Sequence, residues 1–457
     1  MMSALPSRDC ARDAWMIWHE AVRSVAADRL IAQVVRCDSK SLEICGERFR
    51  LIPQRRVFVV GGGKACGAMA EGLERCLSEV WLQRTTGLVN VPENCVKSLQ
   101  RIELHAGRPA GVNEPTEEGY RGVQHMLSLL RQMTPDDLCI VLLSGGGSAL
   151  LPAPLPGLTL AVKQRITRCL MQRGATIQEL NTVRACLSQI KRGGLLRAIP
   201  AGTCITLAIS DVVGDDPEVI ASGPTIPVPP QPQRALEIVK QYCAGEPDIF
   251  DSVVHLLQTQ LTELLLPPVV IPHFYHIVGN NRMAVEAAAR HASAQGYQLA
   301  WVETDREGEV AAEGRRLWQA MSELTRRECP GRGWCWISGG EPVVDLKGAD
   351  ADSRGGRNQE LALAALDESL RTEVSRAFCF LSGGTDGEDG PTDAAGARFD
   401  HRIRAHVLQH ALSVADYLRR HDSYSFWQRL GTLIHTGPTH TNVMDLRVGL
   451  ITSRLAE

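Results

Sequence analysis

The sequence predicts an α/β protein of two domains, and this prediction rests on three observations. The chain has 457 residues, too many for one hydrophobic core at roughly 150 residues per domain. Short apolar runs recur along it, and each is followed by a glycine, serine or aspartate turn and then by helical periodicity. Their apolar residues are nearly continuous, which is typical of parallel strands buried on both faces. The runs are 56–63, 85–91, 138–148, 203–211, 274–280, 298–304, 334–341 and 377–387.

We expect the functional site at the carboxyl ends of these strands. In open parallel sheets a ligand binds in the crevice at that edge, where the polar turns of this chain would lie. A turn-rich stretch at residues 326–333 precedes the seventh run and predicts a domain boundary. The predicted domains are therefore residues 1–328 and 329–457. Ahead of the first run, apolar residues at helical spacing within 14–25 predict an amphipathic helix.

Composition excludes several classes of function. Acidic and basic residues number 52 and 49, giving a net charge of −3, so no strong field recruits nucleic acid or an anionic membrane. The 14 cysteines include no C-x-x-C pair, which favours free thiols in a reducing compartment over disulfides or zinc. No secretory signal and no transmembrane segment are predicted, so we expect a cytoplasmic protein with small-molecule substrates. A homo-oligomer is compatible with the sequence, which leaves the oligomeric state open.

Two glycine-rich turns are predicted to bind an anion. The first turn, residues 61–64, follows a strand and opens a helix, where backbone N–H groups and Lys64 favour negative charge. It matches neither the Walker A loop nor the dinucleotide fingerprint, because Phe58 and Cys66 occupy positions that need glycine. The second turn places three glycines between two serines, as in an anion nest. A tight structural turn is the alternative interpretation for the glycines alone. The predicted binding residues are Gly61, Gly62, Gly63, Lys64, Ser144, Gly145, Gly146, Gly147 and Ser148.

Residues 180–196 predict a helix that ends at a glycine pair. Asn181, Arg184, Ser188 and Lys191 recur at helical spacing on one face of it. An amide and two cations in line could hold a phosphate or a carboxylate. The alternative is an ordinary solvated helix face.

Aspartates follow two of the buried strands. Asp211 ends one run, and Asp215 and Asp216 come just after it. Asp386 and Asp389 lie in the turn after the last run, without the glutamate that an EF-hand loop requires. Carboxylates at strand ends are the usual protein ligands of Mg²⁺. We therefore predict Asp211, Asp215, Asp386 and Asp389 as metal ligands, with turn or helix-cap chemistry as the alternative for Asp215 or Asp216.

Further glycine and charge clusters occur at 338–341, 355–364 and 382–397. Arg357 and Asn358 stand where a glycine pair meets a predicted helix, so the arginine would begin from a rigid base and could grip an anion with two parallel N–H groups. A solvated arginine is the alternative, but the helix dipole disfavours a cation there. The other binding residues predicted from these segments are Gly339, Gly340, Glu341, Gly383, Gly384 and Thr385.

Taken together and in this order, these motifs resemble those of the class II glycerate kinases. The resemblance runs from about residue 14 to about residue 450. It rests on GGGKA, LLSGGGSALL, LNTVRxxLSQIK, SDVVGDDPEVIASGPT, SGGE, GGRNQE and SGGTDGxDGPTDAAGA, which are jointly very specific.

The resemblance implies an ATP- and Mg²⁺-dependent phosphoryl transfer to D-glycerate. It implies a large N-terminal Rossmann-like domain with a parallel sheet, a smaller C-terminal α/β domain, and an active-site cleft between them. By match to the family motifs, Lys64 and Arg357 are the leading catalytic residues. Asp211 and Asp386 complete the catalytic set, and which carboxylate is general base and which binds metal stays open. We expect 2-phosphoglycerate rather than 3-phosphoglycerate as the product.

The chain departs from the family pattern at four places. Gly62 stands where the family usually has alanine, and Arg192 is inserted after Lys191. The acidic segment 347–354 is longer than usual, and His440 stands where the family usually has glycine. Two other functions stay open from the sequence. One is an NAD(P)H-dependent hydroxypyruvate reductase, against which the defective fingerprint argues. The other is a catalytically idle regulator that binds sugar acids.

Overall fold

A computed structural model describes residues 9–112, 114–245, 247–262, 271–346, 350 and 352–452. None of the helices in these ranges combines the length and apolar character that crossing a membrane requires. The strands are β1 (Val35–Cys37), β2 (Ser41–Ile44), β3 (Glu47–Arg50), β4 (Val57–Gly62), β5 (Thr85–Pro92), β6 (Ile102–Arg108), β7 (Leu138–Leu143), β8 (Thr203–Ile209), β9 (His273–Gly279), β10 (Gln298–Arg306), β11 (Gly333–Gly340), β12 (Phe378–Gly384), β13 (Gly396–Asp400), β14 (Leu433–Ile434) and β15 (Asp445–Thr452). The helices are α1 (Cys10–Ser24), α2 (Ala27–Val34), α3 (Cys66–Cys76), α4 (Glu79–Leu82), α5 (Glu117–Leu130), α6 (Gly147–Leu150), α7 (Leu160–Gln172), α8 (Ile177–Cys186), α9 (Gly194–Arg197), α10 (Pro232–Cys243), α11 (Pro247–Thr262), α12 (Asn281–Ala294), α13 (Val310–Thr325), α14 (Arg357–Ser369), α15 (His401–Gln409), α16 (Val414–Arg420) and α17 (Ser423–Leu430).

The described residues form two compact units that interleave along the chain. The parallel-sheet unit comprises the described parts of Ala27–Ser210 and Asp215–Val278. The mixed-sheet unit comprises those of Met1–Ala26, Asp211–Gly214 and Gly279–Glu457. This division differs from a single boundary at residues 328 and 329, because α1 and α12 pack on strands of the C-terminal sequence. As a boundary between modules of the sequence, 328/329 stays a prediction.

The parallel-sheet unit is built on a six-stranded sheet in the order β6–β5–β4–β7–β8–β9. The strand pairs from β6 to β8 are all parallel. Counted by their sequence within this sheet, the strands stand in the order 3-2-1-4-5-6, the order of doubly wound Rossmann sheets. This confirms the expected parallel N-terminal sheet. The strand order reverses between β4 and β7, so the loops after these two strands lie where such folds bind ligands.

A helical layer in the same unit has a core of its own. Helices α7, α8, α10 and α11 bury apolar side chains against one another, including Ile166, Leu170, Val183 and Val239. Thr159 caps the first turn of α7 by accepting the Val162 N–H through its hydroxyl. The layer therefore holds α7 and α8 in a fixed relation, and both present polar residues beside this core.

The mixed-sheet unit has a six-stranded sheet in the order β10–β11–β15–β12–β13–β14. Helices α1 and α12 cover one face, and α13 and α14 cover the other. Only β10 and β11 pair in parallel, and β11 and β12 both pair antiparallel with β15. This differs from the parallel pairing expected for runs 334–341 and 377–387. Their apolar residues are continuous because helices bury both faces, whatever the strand direction.

Candidate functional site

The loops after β4 and β7 contact each other at the reversal point of the parallel sheet. The Lys64 N–H donates to the Gly145 carbonyl oxygen over 2.8 Å. The Ala65 N–H donates to Ser144 Oγ over 3.0 Å. A Cβ atom on Gly63 would collide with Ser144 Oγ. Ser144 is thus occupied in joining the two loops, so the structure supports a packing role for it and for Gly63.

The remaining glycines of these loops also permit close contacts. A Cβ atom on Gly61 would collide with the backbone of β7, and one on Gly62 would lie 2.9 Å from the Leu151 side chain. A Cβ atom on Gly147 would lie 2.8 Å from the Gly62 carbonyl oxygen. Tight backbone approach therefore accounts for three of the predicted anion-binding glycines without a ligand.

Gly146 differs, because it lies where two cationic side chains approach the loop. Its φ of 74° is in the left-handed region that favours glycine. A Cβ atom there would be 3.2 Å from Arg108 Nη2 and 3.4 Å from Lys64 Cγ. Arg108 is buried at the end of β6 and was not among the predicted site residues. The loop thus brings Lys64 and Arg108 together beside a half-buried turn of backbone.

Ser148 joins two more cations in the same unit. Its Oγ accepts from Arg184 Nη2 over 2.9 Å and from Lys191 Nζ over 2.6 Å. Lys191 Nζ also donates to Ser222 Oγ over 3.1 Å. We call Lys163, Arg184, Lys191, Ser148 and Ser222 the cation cluster. Lys163 belongs to it because it is buried on α7, which shares a core with α8, the helix of Arg184. Its charge also lowers the pKa of Lys191, after burial and the charge of Arg184.

The helix predicted over 180–196 is shorter than expected. Helix α8 ends at Cys186, so Ser188 and Lys191 lie beyond it instead of on its face. The single polar face expected from the spacing is therefore wrong, although Arg184 and Lys191 still reach the same serine. Asn181 lies on α8 one turn before Arg184. Ser188 is buried and its hydroxyl has no hydrogen-bond partner among the described residues.

In the mixed-sheet unit Arg357 bridges two carboxylates. Its Nε and Nη2 donate to the two oxygens of Asp445 over 2.7 and 3.1 Å, and its Nη1 donates to Glu341 over 2.6 Å. Burial alone would lower the pKa of Arg357, but Asp445 and Glu341 outweigh it and raise that pKa. Asn358 Nδ2 also donates to Asp445 over 2.9 Å. The guanidinium, predicted to grip a substrate anion, is therefore already engaged by the protein at the start of α14.

Glu341 lies among charges of both signs. Its side chain is 35% exposed, unlike the fully buried Asp445. Burial raises the pKa of Glu341, Arg357 opposes it, and the charges of Asp445 and Asp211 add to it, so that the pKa is about 7. The Asp211 carboxylate in turn accepts from Asn442 Nδ2 over 3.3 Å. We call Asp211, Glu341 and Asp445 the carboxylate cluster, two members of which, Glu341 and Asp445, pair with Arg357.

The strand-end glycines of the mixed sheet are packed against side chains. A Cβ atom on Gly339 would collide with Asn281 of α12, and one on Gly383 would lie 2.9 Å from the Trp18 ring of α1. Gly340 and Gly384 are likewise buried, with neighbouring carbonyl oxygens at the place a Cβ would occupy. Thr385 is buried, and its hydroxyl donates to the Met444 carbonyl oxygen over 2.6 Å. Their contacts are those of packed strand ends, and their predicted ligand roles stay predictions.

The two aspartates after β12 have different environments. Asp389 is buried, and its oxygens accept the N–H groups of Asn358 and Gln359 over 3.0 and 2.8 Å. Asp389 therefore caps α14 from a distant part of the chain. Burial raises the pKa of Asp389 and the two hydrogen bonds lower it, so that the pKa is about 7. Asp386 accepts the Glu388 N–H over 3.1 Å. A capping carboxylate has few lone pairs left for metal, so we retain Asp386 and not Asp389 in the proposal below.

The carboxylates predicted to bind Mg²⁺ do not form an all-protein cage. Asp215 belongs to the parallel-sheet unit, whereas Asp211 and Asp386 belong to the mixed-sheet unit. Among the described residues, no three His, Cys, Asp or Glu side chains are arranged to hold a metal ion. Mg²⁺ in nucleotide sites commonly uses one or two carboxylates and completes its shell with water and phosphate oxygens. Asp211 and Asp386 suit that mode of binding.

Two departures from the family pattern can be placed. His440 has a φ of 57°, the left-handed conformation that glycine adopts most easily. Residues 347–349 and 351 of the acidic segment lie outside the described residues. Arg192 also has positive φ, 49°, next to Gly193 at 78°. The insertion is thus accommodated in a turn next to Lys191.

Comparisons with known proteins cover nearly the whole chain. Residues 13–258 match a domain of unknown function, DUF4147, and residues 334–445 match the MOFRL family. Human glycerate kinase is 35% identical over 95% of this chain and 92% of its own length. Glycerate 2-kinase of Pyrococcus horikoshii is 32% identical over 95% and 96%. The crystal structure of a glycerate kinase from Thermotoga maritima matches with a TM-score of 0.80 at 30% identity, covering 97% of this chain and 99% of that one.

Proposed function

Because this chain belongs to the glycerate kinase family, we propose that it transfers the γ-phosphoryl group of ATP to D-glycerate and releases 2-phosphoglycerate. The proposal rests chiefly on the cation cluster, where Arg184 and Lys191 converge on Ser148 without an acidic partner. Phosphoryl transfer depends on positioning and on neutralising negative charge more than on covalent chemistry. The name of the Pyrococcus relative, a glycerate 2-kinase, favours the 2-phosphate as product.

The cations of the parallel-sheet unit would hold the anionic groups of the substrates. Lys64 and Arg108 approach Gly146 at the carboxyl edge of the sheet, the edge at which doubly wound folds bind nucleotides. Cations aimed at the phosphates stabilise the charge that spreads over the transferred group in the transition state. Lys64 is therefore proposed as a catalytic residue and Arg108 as a binding residue.

A carboxylate of the mixed-sheet unit would accept the proton of the glycerate hydroxyl. Glu341 is our candidate, because it is partly exposed and because burial and the charges of nearby acids raise its pKa to about 7. A base with a pKa near the working pH combines availability with proton affinity. The hydroxyl oxygen forms the new bond to phosphorus, the bond from phosphorus to the ADP oxygen breaks, and the proton moves to Glu341. Arg357 orients that carboxylate through Nη1.

Mg²⁺ would arrive with the nucleotide, held by Asp211 and Asp386 together with water and phosphate oxygens. When bound, the ion shields the charge of the ATP phosphates. We expect excess chelator to abolish turnover and added Mg²⁺ to restore it. Full activity in the chelator would contradict the metal requirement.

The decisive assay measures ADP release by the full chain with ATP, Mg²⁺ and D-glycerate, with each omitted in turn. We expect ADP and phosphoglycerate in equal amounts and only when all three are present. Enolase added alone should consume a 2-phosphate product directly, whereas a 3-phosphate product would need a mutase first. A parallel arm with hydroxypyruvate and NADH or NADPH tests the reductase, and absence of turnover in both arms would favour the regulator.

The buried side chains at the end of β5 supply no acid to bind the ribose of a dinucleotide. Asn90 lies near the end of β5, where a dinucleotide site would place an acid. Its Nδ2 donates to the carbonyl oxygens of Gly119 and Leu150 over 2.8 and 2.7 Å. We therefore propose no second function.

A further inference from the structure

Lys163 is a buried cation that no feature of the sequence had indicated. It lies on α7, on the face that also buries Ile166 and Leu170 against the helical layer. Its side chain is 8% exposed, and Nζ has no hydrogen-bond partner among the described residues. Burying an ammonium group without a partner costs several kcal/mol. A ligand that carries negative charge would offset this cost when it binds.

The charge that acts on Lys163, that of Arg184, adds to the cost of burying its ammonium group, because it is also positive. Burial and, to a smaller extent, the charge of Arg184 together lower the pKa of Lys163 to about 7. Burial also lowers the pKa of Lys191, with Arg184 and Lys163 adding to the effect. None of these three side chains forms an ion pair with a described carboxylate. Two serine hydroxyls, Ser148 and Ser222, are the described side chains that Arg184 and Lys191 contact.

We propose that Lys163, Arg184 and Lys191 form a binding site for one phosphate group, and that Lys163 makes this site select phosphate over carboxylate. A carboxylate carries one negative charge and would leave two of the three cations uncompensated. A phosphate monoester carries about −1.5 to −2 at neutral pH and presents three terminal oxygens to donors. Ser148 and Ser222 supply additional hydroxyl donors on the same side. The inference rests on the proposed function only for the source of the phosphate, which is either the nucleotide or the phosphoglycerate.

Calorimetric titration of the full chain tests the site without turnover. The probes are inorganic phosphate, 2-phosphoglycerate, ADP and D-glycerate, each added alone. Removing a charged hydrogen bond to an anion weakens binding roughly tenfold to a hundredfold. We expect Lys163→Met to weaken inorganic phosphate to that extent and D-glycerate by less than about threefold. If Lys163→Met also binds ADP more weakly, the phosphate in the site comes from the nucleotide. If it also binds 2-phosphoglycerate more weakly, the phosphate comes from the product. Both results support the site.

Arg168→Gln provides the matched control, because Arg168 is exposed on the same helix. It removes one positive charge at the surface and should leave phosphate affinity unchanged. The melting temperature of the ligand-free protein gives a second readout. Lys163→Met should melt at the same or a higher temperature, since an unpaired buried charge is replaced by an apolar side chain of similar length. A lysine with a purely structural role would give a lower melting temperature.

Four results would overturn the site. Three concern Lys163→Met: unchanged phosphate affinity, equal losses for phosphate and D-glycerate, and a lower melting temperature of the ligand-free variant. The fourth is absence of phosphate binding by the wild-type chain. A failed kinase assay would leave these titrations interpretable, because they need neither ATP turnover nor metal. The proposed function and the phosphate site can therefore fail independently.

Discussion

The two units treat buried charge in opposite ways. In the mixed-sheet unit Arg357 is matched within the fold by Asp445 and Glu341. In the parallel-sheet unit Lys163 and Lys191 are buried beside Arg184 without a carboxylate. A charge matched inside the fold supports the folded state, whereas an unmatched one weakens it until a ligand binds. The first arrangement is suited to holding catalytic groups in place, and the second to binding an anion.

The largest expected effect is that of substituting Arg357. Arg357→Ala would take from the fully buried Asp445 its closest cation and leave Arg447 Nη2, at 3.5 Å, as its ion-pair partner. Breaking a buried pair costs about 3–5 kcal/mol of unfolding free energy. We also expect kcat to fall, because Glu341 loses the group that orients it. Chemical denaturation and steady-state kinetics measure the two effects.

Arg357→Lys separates an orienting role from a substrate clamp. Lysine keeps the charge but cannot donate two parallel bonds to Asp445. A lower kcat with the KM for glycerate nearly kept supports orientation, and a raised KM alone would support the clamp. Arg371→Ala is the control, since this arginine lies just past the end of α14, 67% exposed, and pairs with Asp367. That surface pair should contribute less than about 1 kcal/mol.

Substitution of Lys64 tests the role of a cation in the parallel-sheet unit. Lys64→Ala should lower kcat by on the order of a hundredfold, as expected when a cation is removed from the transition state. The melting temperature should stay within error, because the loop is held by backbone bonds such as that from the Lys64 N–H to Gly145. Kinetics together with a thermal melt decide the matter. An unchanged kcat or a collapsed melting transition would make Lys64 structural.

The two aspartates after β12 should respond differently to the same change. Asp386→Asn should raise the Mg²⁺ concentration needed for half-maximal rate and leave stability nearly unchanged. Asp389→Asn removes one of two acceptors for the α14 amides, which should cost about 1–3 kcal/mol of unfolding free energy. Metal titrations and denaturation curves on both variants measure this contrast. Wild-type metal dependence in Asp386→Asn would remove that residue from the metal site.

The smallest predicted effects are opposite pH trends. Glu341 has a folded pKa of about 7 above its ordinary 4.5, so the folded chain binds more protons in that interval. Its contribution to stability therefore falls as pH rises from about 4.5 to about 7. Lys163 has a folded pKa of about 7 below its ordinary 10.5, so its contribution rises with pH between those values. Denaturation across pH, with Glu341→Gln and Lys163→Met as references, should show the two trends; equal slopes in variant and wild type would contradict them.

Much of the fold could be predicted from the sequence because the strands alternate with glycine turns. The eight apolar runs all became strands, and the Rossmann order of the parallel sheet agrees with the expected class. The central strand of the second sheet, β15, was missed. Its sequence contains Arg447, which is fully buried and donates to the Gly340 carbonyl oxygen over 3.2 Å. A charged residue in the middle of a short run conceals a strand whose partner is distant in sequence.

The candidate site was predictable only in part. Local motifs indicated Lys64 in a turn at a strand end, Arg184 by its helical spacing, and Arg357 at a glycine pair before a helix. Lys163 was missed, since a single lysine in an amphipathic helix normally belongs to the solvated face. Only the packing of α7 shows that this position points into the helical layer. Long-range contacts of this kind have no signal in local spacing.

The central claim is that the chain joins the γ-phosphoryl group of ATP to the 2-hydroxyl of D-glycerate. Phosphorus NMR of one reaction mixture, with full chain, ATP, Mg²⁺ and D-glycerate, tests it most directly. We predict that the γ-phosphate signal of ATP declines as ADP and a single phosphomonoester appear in equal amounts, and that the monoester matches added 2-phosphoglycerate. Inorganic phosphate without a phosphomonoester, or an unchanged ATP spectrum, would contradict the account.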